Sequence, residues 1–343
     1  MNLKELAKEL GLSQTTVSRA LNGYPEVSEA TRLRVKALAE QFNYSPSARA
    51  KGLATGKALA IGHVMPMGPK NEMMNPIFGD FISGAGERCA GNGYEMIISV
   101  VDSNTDEETV YRGLKSRNAV DGVVIHGPRT NDPRIKLLQE IGLPFVVHGR
   151  ANEIEKPFDW VDVNNKRAFQ RATDLLLDLG HTRIALINGL EELDFARRRR
   201  AGFEGAFAAR DMTPDPALMV SDGMTENVGY TAAKTMLGGE MPPTAFMVAS
   251  MISAIGVRRA IEERGLAMGR DVSVVAHDDN LSYLRNGGDV PIFTATRSSV
   301  REAGCNVVEM LIDQISNPKR PHKTLLLEAE LIMGQSTGPG PAH

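Results

Sequence analysis

Ser13-Gln14-Thr15-Thr16-Val17-Ser18-Arg19-Ala20-Leu21-Asn22 is the stretch from which the chain is best read. As a helix capped by Ser13, it puts Val17, Ala20 and Leu21 on one face and Gln14, Thr15, Ser18 and Arg19 on the other. Upstream, Asn2 and Glu5 have the cap-plus-three spacing of a helix start, and Leu3, Leu6, Ala7 and Leu10 recur at helical spacing before Gly11. Downstream, Ser28 can cap a third helix that mixes Arg32, Arg34 and Lys36 with Leu33, Val35, Leu38 and Ala39. Helix, three-residue turn and helix, backed by a third, is the helix-turn-helix layout. There the second helix enters the major groove of DNA, where an arginine bonds two acceptors of guanine and Gln or Thr reads neighbouring base edges. The plain alternative is a small helical bundle with a polar surface.

Charge supports the first reading. The 343 residues carry a net charge of −3, which alone points to no nucleic-acid partner. Residues 1–60, however, hold nine Lys and Arg against five Asp and Glu, and the remaining 283 hold 30 against 37. The basic charge is concentrated where the outward-facing Gln, Thr and Arg side chains lie.

The length suggests roughly two to three domains. With 42% hydrophobic, 24% charged and 5% aromatic residues, collagen-like, disordered and disulfide-scaffold classes are excluded. No run approaches a membrane span, and Met1-Asn2-Leu3-Lys4-Glu5-Leu6 lacks the apolar core of a secretory signal, so a cytoplasmic protein with no membrane partner is expected. Cys89 and Cys305 lie inside helical patterns and read as reduced thiols rather than a disulfide or a metal pair.

From Ala60 onward, short apolar runs alternate with amphipathic segments. Strands are expected at Ala60 to Met65, Met96 to Val101, Gly122 to Ile125, Pro144 to Val147, Arg183 to Ile187, Ala245 to Ala249 and Val272 to Ala276. Helix-length patterns such as Ile77 to Asn92 and Lys166 to Leu179 separate them, and the order restarts near Asp159 to Asn164. The fold class is therefore an all-α helix-turn-helix N-terminal domain plus α/β, with two doubly wound parallel-sheet lobes. Strand ends of such lobes face a shared cleft, the expected ligand site. His126 and His148 fall at those ends, whereas His63 lies inside the first strand pattern; no convergent metal set is visible, and no cofactor is expected. Asp278 and Asp279 are adjacent on a strand end and so point in opposite directions, which suits ligand recognition better than paired acid–base work. In the run Arg197 to Arg200, one member, Arg199, is expected inward and the others at the surface or cleft rim. Gly52-Leu53-Ala54-Thr55-Gly56-Lys57-Ala58 is not a phosphate loop, because it is one residue short, has Ala58 where a hydroxyl is needed and follows no strand.

Ala7 to Asn22, with Val27-Ser28-Glu29-Ala30-Thr31-Arg32 and Phe42-Asn43-Tyr44-Ser45-Pro46, closely resembles the DNA-binding headpiece of the LacI/GalR family. The resemblance extends through residues 58–337 to that family's periplasmic-binding-protein-like core. It is carried by Asn75-Pro76-Ile77-Phe78, Val120-Asp121-Gly122-Val123-Val124-Ile125, Leu179-Gly180-His181-Thr182-Arg183-Ile184-Ala185, Arg199-Arg200-Ala201-Gly202-Phe203 and Val274-Val275-Ala276-His277-Asp278-Asp279. It implies base reading by Gln14, Thr15 and Arg19, and phosphate contacts by Thr16, Ser18 and Asn22. The polar, glycine-punctuated segment after Pro46 looks like the hinge that becomes helical only on DNA, with Leu53 as the minor-groove wedge. In the cleft, Arg199 and Asp278 match residues that bond sugar hydroxyls, and Phe78 could cover an apolar sugar face. His126, His148, Arg150 and Ser250 complete the expected effector set. Two positions depart from the family pattern: Ser250-Met251 stands where many members have Asn-Asp, and Gly149-Arg150 replaces a common aspartate.

The implied domains are a headpiece (1–46), a hinge (47–57), a first lobe (58–161 and 293–322), a second lobe (162–292 and 323–337) and a tail (338–343). In that topology the strand 293–297 and the following helix return to the first lobe, and Leu325 to Glu330 finish the second. The expected protein is a homodimeric repressor of carbohydrate-use genes, a tetramer being open, that leaves a near-palindromic operator when a small sugar such as an α-glucoside binds. Alternatives are a corepressor-dependent regulator, a sugar receptor without DNA function and, with no activated nucleophile in view, an enzyme.

Overall fold

A computed structural model of the chain describes residues 2–21, 23–44, 56–66, 76–101 and 106–341. The chain divides into two compact units, one of residues up to Leu59 with Asn118–Val120 and one of Ala60–Arg117 with Asp121–His343.

In the amino-terminal unit, α1 (Leu3–Leu10) begins in a capping box: Glu5 N donates to Asn2 Oδ1 at 3.0 Å, and Asn2 N donates to Glu5 Oε2 at 2.9 Å. It ends at Gly11, whose φ of 65° is the left-handed conformation that glycine adopts without strain. Then come α2 (Gln14–Leu21) and α3 (Glu29–Gln41), the latter capped by Ser28. Leu6, Leu10, Val17, Ala20 and Val35 meet in one small core. Each large side chain buried there contributes about 1.5–3 kcal/mol.

The larger unit holds two six-stranded sheets. The first lobe carries β1 (Ala60–Pro66), β2 (Glu95–Val101), β3 (Gly122–His126), β4 (Phe145–His148) and β5 (Asp159–Val163). Its helices are α4 (Pro76–Gly91), α5 (Glu107–Ser116) and α6 (Pro133–Ile141). The second begins with α7 (Asn165–Asp178) and continues through β6 (Ile184–Asn188), α8 (Asp194–Ala208), β7 (Met219–Ser221), α9 (Glu226–Leu237), β8 (Ala245–Val248), α10 (Met251–Glu263) and β9 (Ser273–Asp278). The apolar strands are buried on both faces, as parallel sheets between helix layers require.

The end of the chain corrects one expectation. Strand β10 (Thr294–Arg297) stays in the second lobe, paired parallel to β9. Only then does α11 (Val300–Ser316) cross to the first lobe, where a Cβ on Gly304 would lie 2.2 Å from Phe81 O of α4. Strand β11 (Thr324–Leu327) joins the first sheet beside β5, and β12 (Glu330–Ile332) returns antiparallel to β10. The expected placement is thus reversed for 293–297, which stays in the second lobe, and for most of the segment Leu325 to Glu330, which joins the first and returns to the second only at Glu330. Buried Asp159 explains why β11 is held in the first lobe: it accepts from Lys323 N at 3.0 Å and His322 Nδ1 at 2.9 Å, and pairs with Arg320.

Candidate DNA-reading helix and effector cleft

On α2, Val17 and Ala20 are buried, while Gln14, Thr15 and Arg19 are exposed and Thr16 and Ser18 half-buried. The helix start is fixed by Ser13, whose Oγ accepts from Thr16 N at 3.1 Å and meets the Thr16 hydroxyl at 2.8 Å. Three side chains able to read base edges therefore project from one rigid, capped element. Asn22, Leu53 and nearly all of the expected hinge lie outside the described residues.

Between the two lobes of the core lies a cavity of about 970 Å³. Its first-lobe wall includes Phe78, Phe81, His126 and His148. His126 Nε2 lies 3.0 Å from Nδ1 of buried His63, Phe81 stacks on His148 at 4.5 Å, and Phe78 meets His126 edge-on at 5.3 Å. Burial pulls His63 and His148 down to about 4 and His126 well below its usual value, so these rings are neutral near pH 7. Each offers one donor and one acceptor.

The second-lobe wall is built on Arg199, which is buried between the rings of Phe169 and Phe195 at 5.1 and 5.0 Å. Its Nε donates to Asn165 Oδ1 at 2.8 Å, and Nη1 donates to Ala249 O at 2.7 Å. Burial lowers its pKa to about 10, against the pull of Asp279 and Asp162, so it remains a cation. Asp279 also lines the cavity; burial pushes its carboxyl up to about 7, which Arg199 opposes and Asp278 reinforces.

Three expected ligand contacts stand elsewhere. Asp278 turns away from the cavity, accepting from Arg297 Nε at 2.9 Å and Asn280 N at 2.8 Å, so Asp279 holds the cleft side of the pair. Ser250 is fully buried and caps α10, accepting from Ser253 N at 3.1 Å. Arg150 sits behind the lining, its Nε 2.7 Å from Asp162 Oδ2. Asp162 Oδ1 in turn accepts from Asn165 at 3.3 Å, so Arg150, Asp162, Asn165 and Arg199 form one chain of polar contacts. Of the basic run, Arg198 pairs with Asp194, and Arg200 reaches Glu191 and Glu204, leaving Arg199 as the member that lines the cavity. Sequence reasoning missed Asp162 and Asn165 as site residues, although both flank the point where the chain passes from one sheet to the other lobe.

Residues 2–47 match the model for bacterial regulatory proteins of the lacI family, and residues 173–337 match the periplasmic binding protein-like domain. AglR of Rhizobium meliloti (strain 1021), an HTH-type transcriptional regulator, is 44% identical over 342 residues, spanning 99% of this chain and 95% of that protein. The chain belongs to the lacI family. Among solved structures, the Lac repressor dimer bound to operator and the anti-inducer ONPF superposes with a TM-score of 0.84 at 25% identity, covering 98% of this chain and 99% of that one. A complex of the transcriptional regulator CelR with cellobiose gives a TM-score of 0.72 at 25% identity and the same coverage. This lacI-family chain is a transcriptional regulator, which displaces the enzyme and stand-alone receptor readings. Among the described residues, no helix is long and apolar enough to cross a membrane.

Proposed function

We propose that this lacI-family regulator is a homodimeric repressor that reads a near-palindromic operator and releases it when a small sugar enters the interlobe cleft. The observation that carries the effector half is Arg199, a buried guanidinium beside Asp279 in a cavity walled by Phe78, Phe81 and Phe195. Donors, acceptors and aromatic faces together suit a polyol whose hydroxyls both donate and accept and whose ring presents C–H groups. The CelR neighbour, which holds cellobiose, supports a carbohydrate. An α-glucoside heads the sugars to try.

The DNA half rests on the exposed face of α2. Gln14, Thr15 and Arg19 read bases, Thr16, Ser18 and Asn22 hold phosphates, and Leu53 wedges the minor groove. Two headpieces on a symmetric dimer match the two half-sites of a palindrome, as in the operator-bound Lac repressor dimer. The effector acts by favouring a lobe arrangement that binds operator poorly. Selection of the operator from a random duplex pool by the full chain tests this: enrichment of a palindrome supports the reading, and a pool that stays random contradicts it.

A further inference from the structure

Of the helices that begin at or beside the interlobe cleft, α5, α6, α9, α10 and α11 carry side-chain caps, whereas α8, whose Leu193 and Phe195 also line it, starts without one. Uncapped helix starts are ready sites for anions, because free N–H groups and the positive end of the helix dipole point the same way. Here the chain's own side chains occupy those five, and at α8 the buried carboxylate of Asp194 stands in the first turn instead. Asp106 accepts from Glu108 N at 3.2 Å, Asp132 from Arg134 N at 3.0 Å and Thr225 from Val228 N at 3.2 Å. Ser250 caps α10, and Ser299 accepts from Glu302 N at 3.1 Å.

Charge repeats the pattern. Among the described residues that line the cleft, nine carboxylates face three arginines; Arg112, Arg150 and Arg259 outside the lining pair with Glu108, Asp162 and Glu226, and the balance is still negative. One of those arginines, Arg134, is already engaged by both oxygens of Asp132, at 2.9 and 2.7 Å, and by the His126 carbonyl at 3.1 Å. Arg199 is shared between Asn165 and the Ala249 carbonyl, with the Asp279 and Asp162 charges close by. The cleft histidines are neutral and add no positive charge. A dianionic group entering here would lose its hydration and meet an excess of like charge, a repulsive element that selects against it.

We propose that the cleft takes an uncharged carbohydrate and rejects its phosphate ester. The inference rests on the sugar reading above and adds the charge class of the ligand. The test is calorimetric titration of the full chain with matched pairs: maltose and maltose 6′-phosphate, sucrose and sucrose 6-phosphate, trehalose and trehalose 6-phosphate, with melibiose, raffinose and cellobiose as further neutral probes. The expected result is that at least one neutral sugar binds, and that a phosphate ester binds at least tenfold more weakly than its parent. A phosphate ester that binds as tightly as its parent, or more tightly, overturns the charge inference and leaves the sugar reading standing. If no sugar of either kind binds, the sugar reading itself fails and the inference falls with it.

Discussion

Arg199 joins the two aromatic rings beside it to the polar floor of the cleft, so its removal separates ligand binding from DNA binding. Arg199→Met keeps an apolar side chain between Phe169 and Phe195 and deletes the donors. With charged hydrogen bonds contributing about 1.5–3 kcal/mol each, effector affinity falls by about a hundredfold or more in a calorimetric titration, while operator binding without effector persists. Unchanged affinity would place the ligand elsewhere. The buried imidazoles make a second prediction. An unfolded histidine titrates near 6.5, but His63 is held to about 4, so stability is complete above pH 6.5 and is lost as pH falls toward 4. Asp279, raised to about 7, works oppositely, its contribution being lost as pH rises from about 4 to 7. In His63→Asn the histidine contribution disappears, and the stability lost between pH 7 and pH 5 in urea unfolding shrinks by about 2 kcal/mol. An undiminished loss would mean that His63 carries no such linkage. At this scale the sequence was legible where strand alternation applied: it placed Asp278 and Asp279 on opposite sides. The family resemblance put Asp278 on the cleft side, but Asp279 holds it, because Arg297 arriving from a neighbouring strand engages Asp278.

Helix contacts give the element-scale predictions. At the crossing of α4 and α11, a methyl group on Gly304 would meet the Phe81 carbonyl at 2.2 Å, whereas Gly205 in α8 has no neighbouring atom within 4 Å of an added Cβ. Gly304→Ala therefore destabilises the protein by about 3 kcal/mol through forced backbone separation. Gly205→Ala stabilises it by about 0.5–1 kcal/mol through helix propensity. Equal effects in thermal unfolding would contradict that contact geometry. On α2, Arg19→Ala removes about 1–3 kcal/mol of discrimination at one base pair of each half-site, read by binding to singly substituted operators. The helices of the headpiece were visible in advance because caps such as Asn2, Ser13 and Ser28 are local signals. The exchange of β10 and β11 between lobes was not, since it is decided by long-range bonds from Asp159 to residues 320–323 and by β10 pairing with β9.

At the scale of the molecule, the core must favour two lobe arrangements unequally for an effector to act, and the contacts across the cleft show what holds the present one. Asp80 of the first lobe accepts from Ser282 N of the second at 2.8 Å and bonds its hydroxyl. Elsewhere, Asp194 N donates to Pro128 O at 2.9 Å, and Asn152 Nδ2 donates to Asp194 Oδ1 at 3.1 Å. Asp80 does not line the cavity, so Asp80→Ala is expected to weaken effector affinity threefold or more by shifting the lobe equilibrium alone. An affinity equal to wild type would show that this bridge does not bias closure. The basic amino end and acidic remainder were readable from charge counts, but the mutual placement of lobe surfaces was not, because it depends on three separate crossings of the chain.

The central claim joins a DNA-reading headpiece to a sugar-sensing core, and operator anisotropy with the full-length protein tests it most directly. A fluorescent palindromic operator is held at half-saturation, with excess random duplex present, while the sugar that binds by calorimetry is added. The account predicts that the operator is released over the same concentration range in which the cleft fills, and that Arg199→Met abolishes the release. No preference for operator over random duplex, or an operator affinity that stays constant as the cleft saturates, would contradict it.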